Sequence, residues 1–384
     1  MSSPEQPIYL DYNATTPVAP EVLEAMLPYL RQEFGNPSST HPYGRRARQA
    51  VERAREQVAA LVGARPEELF FTGSGTEANN LAIRGWVEAR PERRHILTST
   101  VEHPATALPC RHLERQGWAV SRLGVDMDGR VRVEEAASAL REDTGLLTVM
   151  HANNETGVLQ PVRELSALAR RRGVVVHTDA AQSVGKVPVD VEALGVDLLT
   201  LVGHKLYAPK GVGALYVRKG TALEPFTLGG GQEHGLRPGT ENVPYIVGLG
   251  AACALARGRL EQSMALLTEL RERLWWRLQA EVPGMRLNGH PTERLPNTLN
   301  VRFPLVKGSA VLAGAPEVAA STGSACHEGG ETASAVLLAM GLPPREALGA
   351  VRLTLGHGTT AKDVDVAATA LARAWRAAAG LAPS

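Results

Sequence analysis

The chain is short of cysteine: Cys110, Cys253 and Cys326 are its only three in 384 residues, which excludes a disulfide framework. It has no CxxC pair and no His/Cys cluster at metal-ligand spacing, which speaks against a metal site. It has little net charge, +1 at pH 7, so neither nucleic acid nor an acidic membrane surface is an expected partner. No apolar run reaches the roughly 18 residues of a membrane-spanning helix. The opening residues MSSPEQPIYLDYN lack the basic and apolar regions of a secretion signal, and the reading places the protein in the cytoplasm. No internal repeat is visible. What remains is globular composition, 44% hydrophobic and 21% charged, in a chain whose length suits about two domains.

The patterning predicts a helix over 20–30, with Pro20 in its first turn, and a longer basic helix over 41–61 that Gly63 stops. Strand and helix signals then alternate. Strands are expected at 68–71, 95–99, 119–123, 146–150, 174–176, 198–201 and 212–217. Helices are expected at 76–86, 105–116, 131–140 and 162–171. Such alternation argues for a mainly parallel sheet with helices on both faces. One long helical stretch, about 245–281, is expected to bridge to a smaller α+β region. That region shows strands near 285–287 and 298–303 and helices at 333–340 and 361–378.

Open α/β sheets bind ligands at the carboxyl ends of their strands, and polar residues collect there. Asp179 follows the apolar run Val174–Val176, and Lys205 follows Leu198–Val202. An amine that bonds a carbonyl, with an acid to hold a ring-nitrogen proton, is what pyridoxal phosphate (PLP) requires. Thr72-Gly73-Ser74-Gly75-Thr76-Glu77 opens a helix, where glycines and free N–H groups suit a phosphate. A plain strand-to-helix turn capped by Thr76 explains it equally well. His103 could stack on a flat ring or shuttle a proton, or be a surface loop residue. Asn153 and Asn154 could contact a ligand or cap a turn. Asp179 could itself be a helix N-cap, and Gln182 lies close to it in sequence. Gly229–Gly231 and the Arg237–Thr240 segment suggest a loop packed closely on something, such as a symmetry mate. Cys110 and Cys253 fall in helical apolar patterns and read as core, whereas Cys326 lies in a small-residue loop, Ala320–Gly330.

Taken together these motifs resemble the cysteine desulfurase family of class-V, fold type I PLP enzymes. The resemblance spans nearly the whole chain. YLDYNATTP, FGNPSS (34–39), TGSGTEANN (72–80), VEHPA, ANNETG, HTDAAQ, GHKLYAPKG, GGGQE, RPGTEN, STGSAC and VRLTLG follow one another in order. It implies an α/β fold with a mainly parallel seven-stranded sheet in a large PLP-binding domain, residues 15–255. A smaller α+β domain, 1–14 with 256–384, would carry the cysteine loop.

The resemblance also implies roles. Lys205 would hold PLP covalently, and Asp179 would pair with the ring nitrogen. His103 would stack on the ring and assist proton transfer. Asn154 and Gln182 would meet the phenolic oxygen. Gly75, Thr76 and His204 would bind phosphate, with Thr240 reaching in from a second subunit of a homodimer. Asn36 and Arg352 would hold the substrate carboxylate, and Cys326 would be the nucleophile that carries sulfur as a persulfide to an acceptor protein or thiol. The chain departs from the commoner pattern at Val202, where many desulfurases have serine, and at Ala333, which replaces a usual proline. The loop after Cys326 is short. Some features also resemble selenocysteine lyases, so the expected activity is that of a cysteine desulfurase acting on L-cysteine, with a selenocysteine lyase acting on L-selenocysteine as the alternative.

Overall fold

The computed structural model describes residues 6–323, 326–327 and 330–381, with 326, 327 and 330 described by their backbone alone. At its centre lies a seven-stranded sheet. Its strands are β1 (Leu69–Thr72), β2 (His95–Ser99), β3 (Ala119–Leu123), β4 (Thr144–Thr148), β5 (Val175–Asp179), β6 (Leu198–Val202) and β7 (Gly213–Val217). Their spatial order is β1-β7-β6-β5-β4-β2-β3. β7 runs antiparallel to both its neighbours, and the other strands run parallel. Several strands are buried along their whole length, as LLTLV of β6 shows, because helices cover both faces. With six strands aligned, the residues that follow β1, β2, β4, β5 and β6 emerge at one edge.

Helix α1 (Pro20–Arg31) and helix α2 (Pro42–Val62) pack on the long α3 (Val243–Glu281). The His41 ring nitrogen Nδ1 accepts from Gly44 N at 3.3 Å to cap α2, and Gly63 ends it at φ 69, a left-handed conformation that glycine adopts without strain. The expected helix 76–86 is real but not uniform. It is α-helical over Gly75–Asn80, turns π-helical over Leu81–Gly85, and resumes over Trp86–Ala89. Glu224 N donates to Gly85 O at 2.9 Å, and a β-carbon at 85 would lie 2.5 Å from Glu224 O, so a neighbouring segment packs closely on the end of this turn.

The second, three-stranded sheet places β9 (Thr298–Arg302) between β8 (Arg286–Leu287) and β10 (Ala350–Thr354), all antiparallel. Two large hydrophobic clusters divide along α3. Val243 to Ala256 enter the cluster around the large sheet, and Leu267 to Leu278 enter the one beneath β9 and β10. Cys110 and Cys253 are buried, as their apolar patterns imply, and burial pushes the Cys110 thiol up to about 12. No helix among the described residues is long and apolar enough to cross a membrane.

One buried ion pair locks the glycine-rich loop to the sheet. Glu233 takes two bonds from Arg55, at 2.7 and 2.8 Å, and one from Phe71 N at 2.8 Å. It does so from a left-handed backbone, φ 46, with His234 at φ 55 behind it. Replacing Arg55 by alanine leaves a buried carboxylate without its cation, and the expected loss is about 3–5 kcal/mol of folding free energy, read by urea unfolding.

Candidate active site

Each motif at the sheet edge arrives on a different strand end. Asp179 is the last residue of β5 rather than a helix cap. Lys205 lies on the short turn Gly203–Lys205 that follows β6. Gly75 and Thr76 begin the helix after β1, where Ser74, not Thr76, is the N-cap, accepting from Glu77 N at 3.1 Å. His103 caps the helix Pro104–Arg115 after β2, its Nδ1 accepting from Ala105 N at 3.1 Å. Asn154 and Gln182 lie on the turns after β4 and β5, and Arg352 lies in the middle of β10 of the second sheet. These residues converge on one cavity of about 400 Å³, together with His204, Val202, Asn13 and Asn79.

The carboxylate of Asp179 is fixed on both oxygens. Asn79 Nδ2 donates to Oδ2 at 2.7 Å, and Ala181 N donates to Oδ1 at 3.0 Å. Lys205 Nζ donates to the carbonyls of Asn13 and Ala14 at 2.5 and 2.8 Å. Burial, helped by the positive charge of Arg352, lowers this amine to about 8, against the pull of Asp11 and Asp179. Gln182 Nε2 donates to Asn13 O at 3.0 Å. His204 is held near 4 by burial and by the neighbouring Lys205 charge. Burial likewise lowers His103. Behind His103, the buried Glu102 carboxyl is raised to about 8 by burial, while Ser99 and Met150 N donate to it.

Arg352 makes a 2.6 Å ion pair with Asp11 and donates to Asn154 O at 3.1 Å. Its Nε is buried without a hydrogen-bond partner. A buried donor at the cavity wall is suited to an incoming carboxylate. Val202 packs its side chain 3.4 Å from where a β-carbon on Gly75 would sit and offers no hydrogen bond, unlike a serine at that place.

Two expected residues lie elsewhere. Asn36 is exposed, with its Oδ1 accepting from Ser38 N at 2.9 Å, and Thr240 is exposed on the loop after Arg237. Neither lines the cavity formed by this one chain. The backbone of Cys326 pairs with Glu331 in a short antiparallel ladder, and its side chain lies outside the described residues.

Sequence reasoning missed Asn79, Asn13 and Asp11 as partners of the site. Asn79 sits one turn into the helix after β1, and helical spacing from Thr76 was the available signal. Asn13 and Asp11 come from the amino-terminal segment, far from Lys205 in sequence, and only the fold brings them there.

The aminotransferase class-V family model matches residues 8–366. A cysteine desulfurase of Trichormus azollae is 48% identical over 360 residues, 93% of this chain and 90% of that protein. The chain belongs to the cysteine desulfurases of the aminotransferase class-V family. Among solved structures, a NifS-like protein superposes with a TM-score of 0.90 at 37% identity, covering 96% of this chain and 99% of that one. SspA in complex with cysteine superposes at 0.81 and 38% identity, covering 90% and 98%. The cavity residues of this desulfurase-family chain fit PLP on their own chemistry. They comprise a lysine whose amine titrates near 8, a doubly anchored carboxylate, a helix start, and an unpartnered guanidinium nitrogen.

Proposed function

We propose that the protein is a PLP-dependent cysteine desulfurase that converts L-cysteine to L-alanine and leaves the sulfur as a persulfide on Cys326. The observation that carries this reading is the convergence of Lys205, Asp179 and Arg352 on one cavity.

PLP, when bound, supplies an electron sink for the bonds at the substrate Cα. The chain supplies the rest. Lys205 would hold the cofactor through its carbonyl and would take the Cα proton on Nζ; an amine lowered to about 8 by burial suits both roles near neutral pH. Asp179 would pair with the ring nitrogen and keep its proton in place. His103 would stack on the ring, and Asn154 with Gln182 would meet its phenolic oxygen. Gly75, Thr76 and His204 would hold the phosphate. Arg352 orients the substrate through its carboxylate. The Cys326 thiolate would attack the substrate sulfur: the S–S bond forms, the Cβ–S bond breaks and leaves its electron pair on the carbon side, Cβ gains a proton, and Lys205 returns a proton to Cα to give alanine.

Thr240 is exposed and away from the cavity of its own chain, which is compatible with a homodimer in which it reaches the partner copy's phosphate site. The split of α3 between two hydrophobic clusters, with Leu10 in the second, supports a large domain of 15–255 and a smaller one of 1–14 with 256–384, and Leu295 and Val336 to Ala350 of the smaller domain pack against the cluster of the larger. An acceptor protein or thiol in the cytoplasm would take the persulfide sulfur.

The test is a paired assay with L-cysteine and L-selenocysteine, with mass spectrometry of the peptide containing Cys326. The expected result is alanine from cysteine and a gain of one sulfur atom on Cys326. A Cys326→Ala variant should lose about a hundredfold in cysteine turnover, or ~2.7 kcal/mol, the remainder reflecting attack by free thiol. Strong selenocysteine turnover with negligible cysteine turnover would instead make the chain a selenocysteine lyase.

A further inference from the structure

Behind the main cavity lies a second, smaller one of about 40 Å³, and Lys186 and Lys205 both line it. Lys186 does not line the main cavity. Its amine end is enclosed and makes two hydrogen bonds, to Gln182 Oε1 at 2.9 Å and to Asn13 Oδ1 at 3.0 Å. Neither bond is incidental to its surroundings. Asn13 Oδ1 also accepts from Asn297 Nδ2 at 3.2 Å, and Asn13 Nδ2 donates to Thr298 Oγ1 at 2.9 Å and Asn154 O at 3.3 Å. The Asn13 backbone carbonyl accepts from both Gln182 Nε2 and Lys205 Nζ. Lys186 therefore joins a closed network that includes the amine expected to carry the cofactor and the amide expected to meet its phenolic oxygen.

A glutamine amide has one acceptor side and one donor side. Lys186 Nζ donates to the amide oxygen of Gln182, and the NH₂ of Gln182 is turned the other way, where it donates to Asn13 O beside the main cavity. We propose that Lys186 is a positioning residue that fixes the amide of Gln182 with its donor side toward the cofactor's phenolic oxygen. This deepens the PLP reading above and rests on it.

The groups facing Lys186 agree with that role. Asn13 and Gln182 are neutral acceptors, while Lys205 and Arg352 bring positive charge. Burial first, and those two charges next, hold the Lys186 amine well below its ordinary value. Without Lys186, Gln182 Oε1 loses its donor and only the bond from Nε2 to Asn13 O still orients the amide, so a flipped amide, which aims an oxygen at the electron-rich phenolic oxygen and is repelled by it, becomes less costly.

The experiment is a double-mutant cycle on PLP affinity, measured by equilibrium dialysis of apoprotein, with melting curves as a fold control. Lys186→Met should weaken PLP binding about tenfold, a typical effect of leaving one buried acceptor without its donor. In a Gln182→Ala background the same change should cost less than about twofold, because the group it positions is gone. An equal loss in both backgrounds, or no loss in the first, overturns the proposal. If Lys186→Met does not fold, Lys186→Gln replaces it; its shorter side chain should still weaken binding only where Gln182 is present, and an effect independent of Gln182 again overturns the role. Failure of the wild-type apoprotein to bind PLP at all would refute the cofactor reading rather than the role of Lys186.

Discussion

Lys205→Ala is expected to abolish desulfuration, lowering kcat/KM by about four orders of magnitude, or ~5.5 kcal/mol of transition-state stabilisation. Two functions leave with one side chain, since the same amine is expected to hold the cofactor and to take the Cα proton. Lys205→Arg should be as inactive, because it keeps the charge and has no nucleophilic amine at that position. The wild type adds a pH signature. Its amine is lowered to about 8 by burial first and the Arg352 charge second. A group shifted down in this way is protonated below that value and free above it. The rate at which apoprotein captures PLP should therefore rise about tenfold per pH unit below pH 8 and level off above it. Borohydride reduction of the wild-type holoenzyme should fix the cofactor on the peptide containing Lys205, read by mass spectrometry. A Lys205→Ala variant with activity within tenfold of wild type would sink the assignment.

Much of this site was legible in the chain because α/β folds put strand ends at one edge. An apolar run followed by a polar residue is enough to place Asp179, Lys205 and His103 there, and the structure brings all three to one cavity. The inner strands are short and buried on both faces, so their apolar runs stand out, and His95–Ser99 forms at the expected bounds, as does the partly exposed edge strand Ala119–Leu123. Strand β4 instead begins at Thr144 and ends at Thr148, because its hydrogen bonding starts beside His95, before the apolar run begins. The strand Ala350–Thr354 was not foreseen. Its arginine interrupts the apolar pattern, and only the Asp11 partner from the amino-terminal segment makes a buried Arg352 affordable. The same holds for Lys186 and Asn13. A network closed by residues far apart in sequence leaves no periodic trace. Asn36 and Thr240 illustrate a different limit, since a single chain leaves both exposed, away from the residues that motif order groups with them.

Asp179→Asn separates charge from shape. Both carboxylate oxygens accept N–H donors, from Asn79 Nδ2 and Ala181 N. An amide at this position keeps one acceptor, which Ala181 N can use. Its NH₂ then faces Asn79, whose own Oδ1 is buried and has no partner. Asn79 can turn its amide over and accept the new donor, so the packing is preserved and stability should change by less than ~1 kcal/mol. The chemistry should not survive as well. A neutral amide cannot hold a proton on the ring nitrogen through charge, and the ring becomes a weaker electron sink when the Cα proton leaves. The expected fall in kcat/KM is about a thousandfold, ~4 kcal/mol, with the melting temperature close to wild type. Adding Asn79→Ala to Asp179→Asn should then lower stability, since the rotated amide has nothing to replace it, while cutting activity little further. Loss of activity that tracks loss of melting temperature across these variants would assign Asp179 a structural role instead.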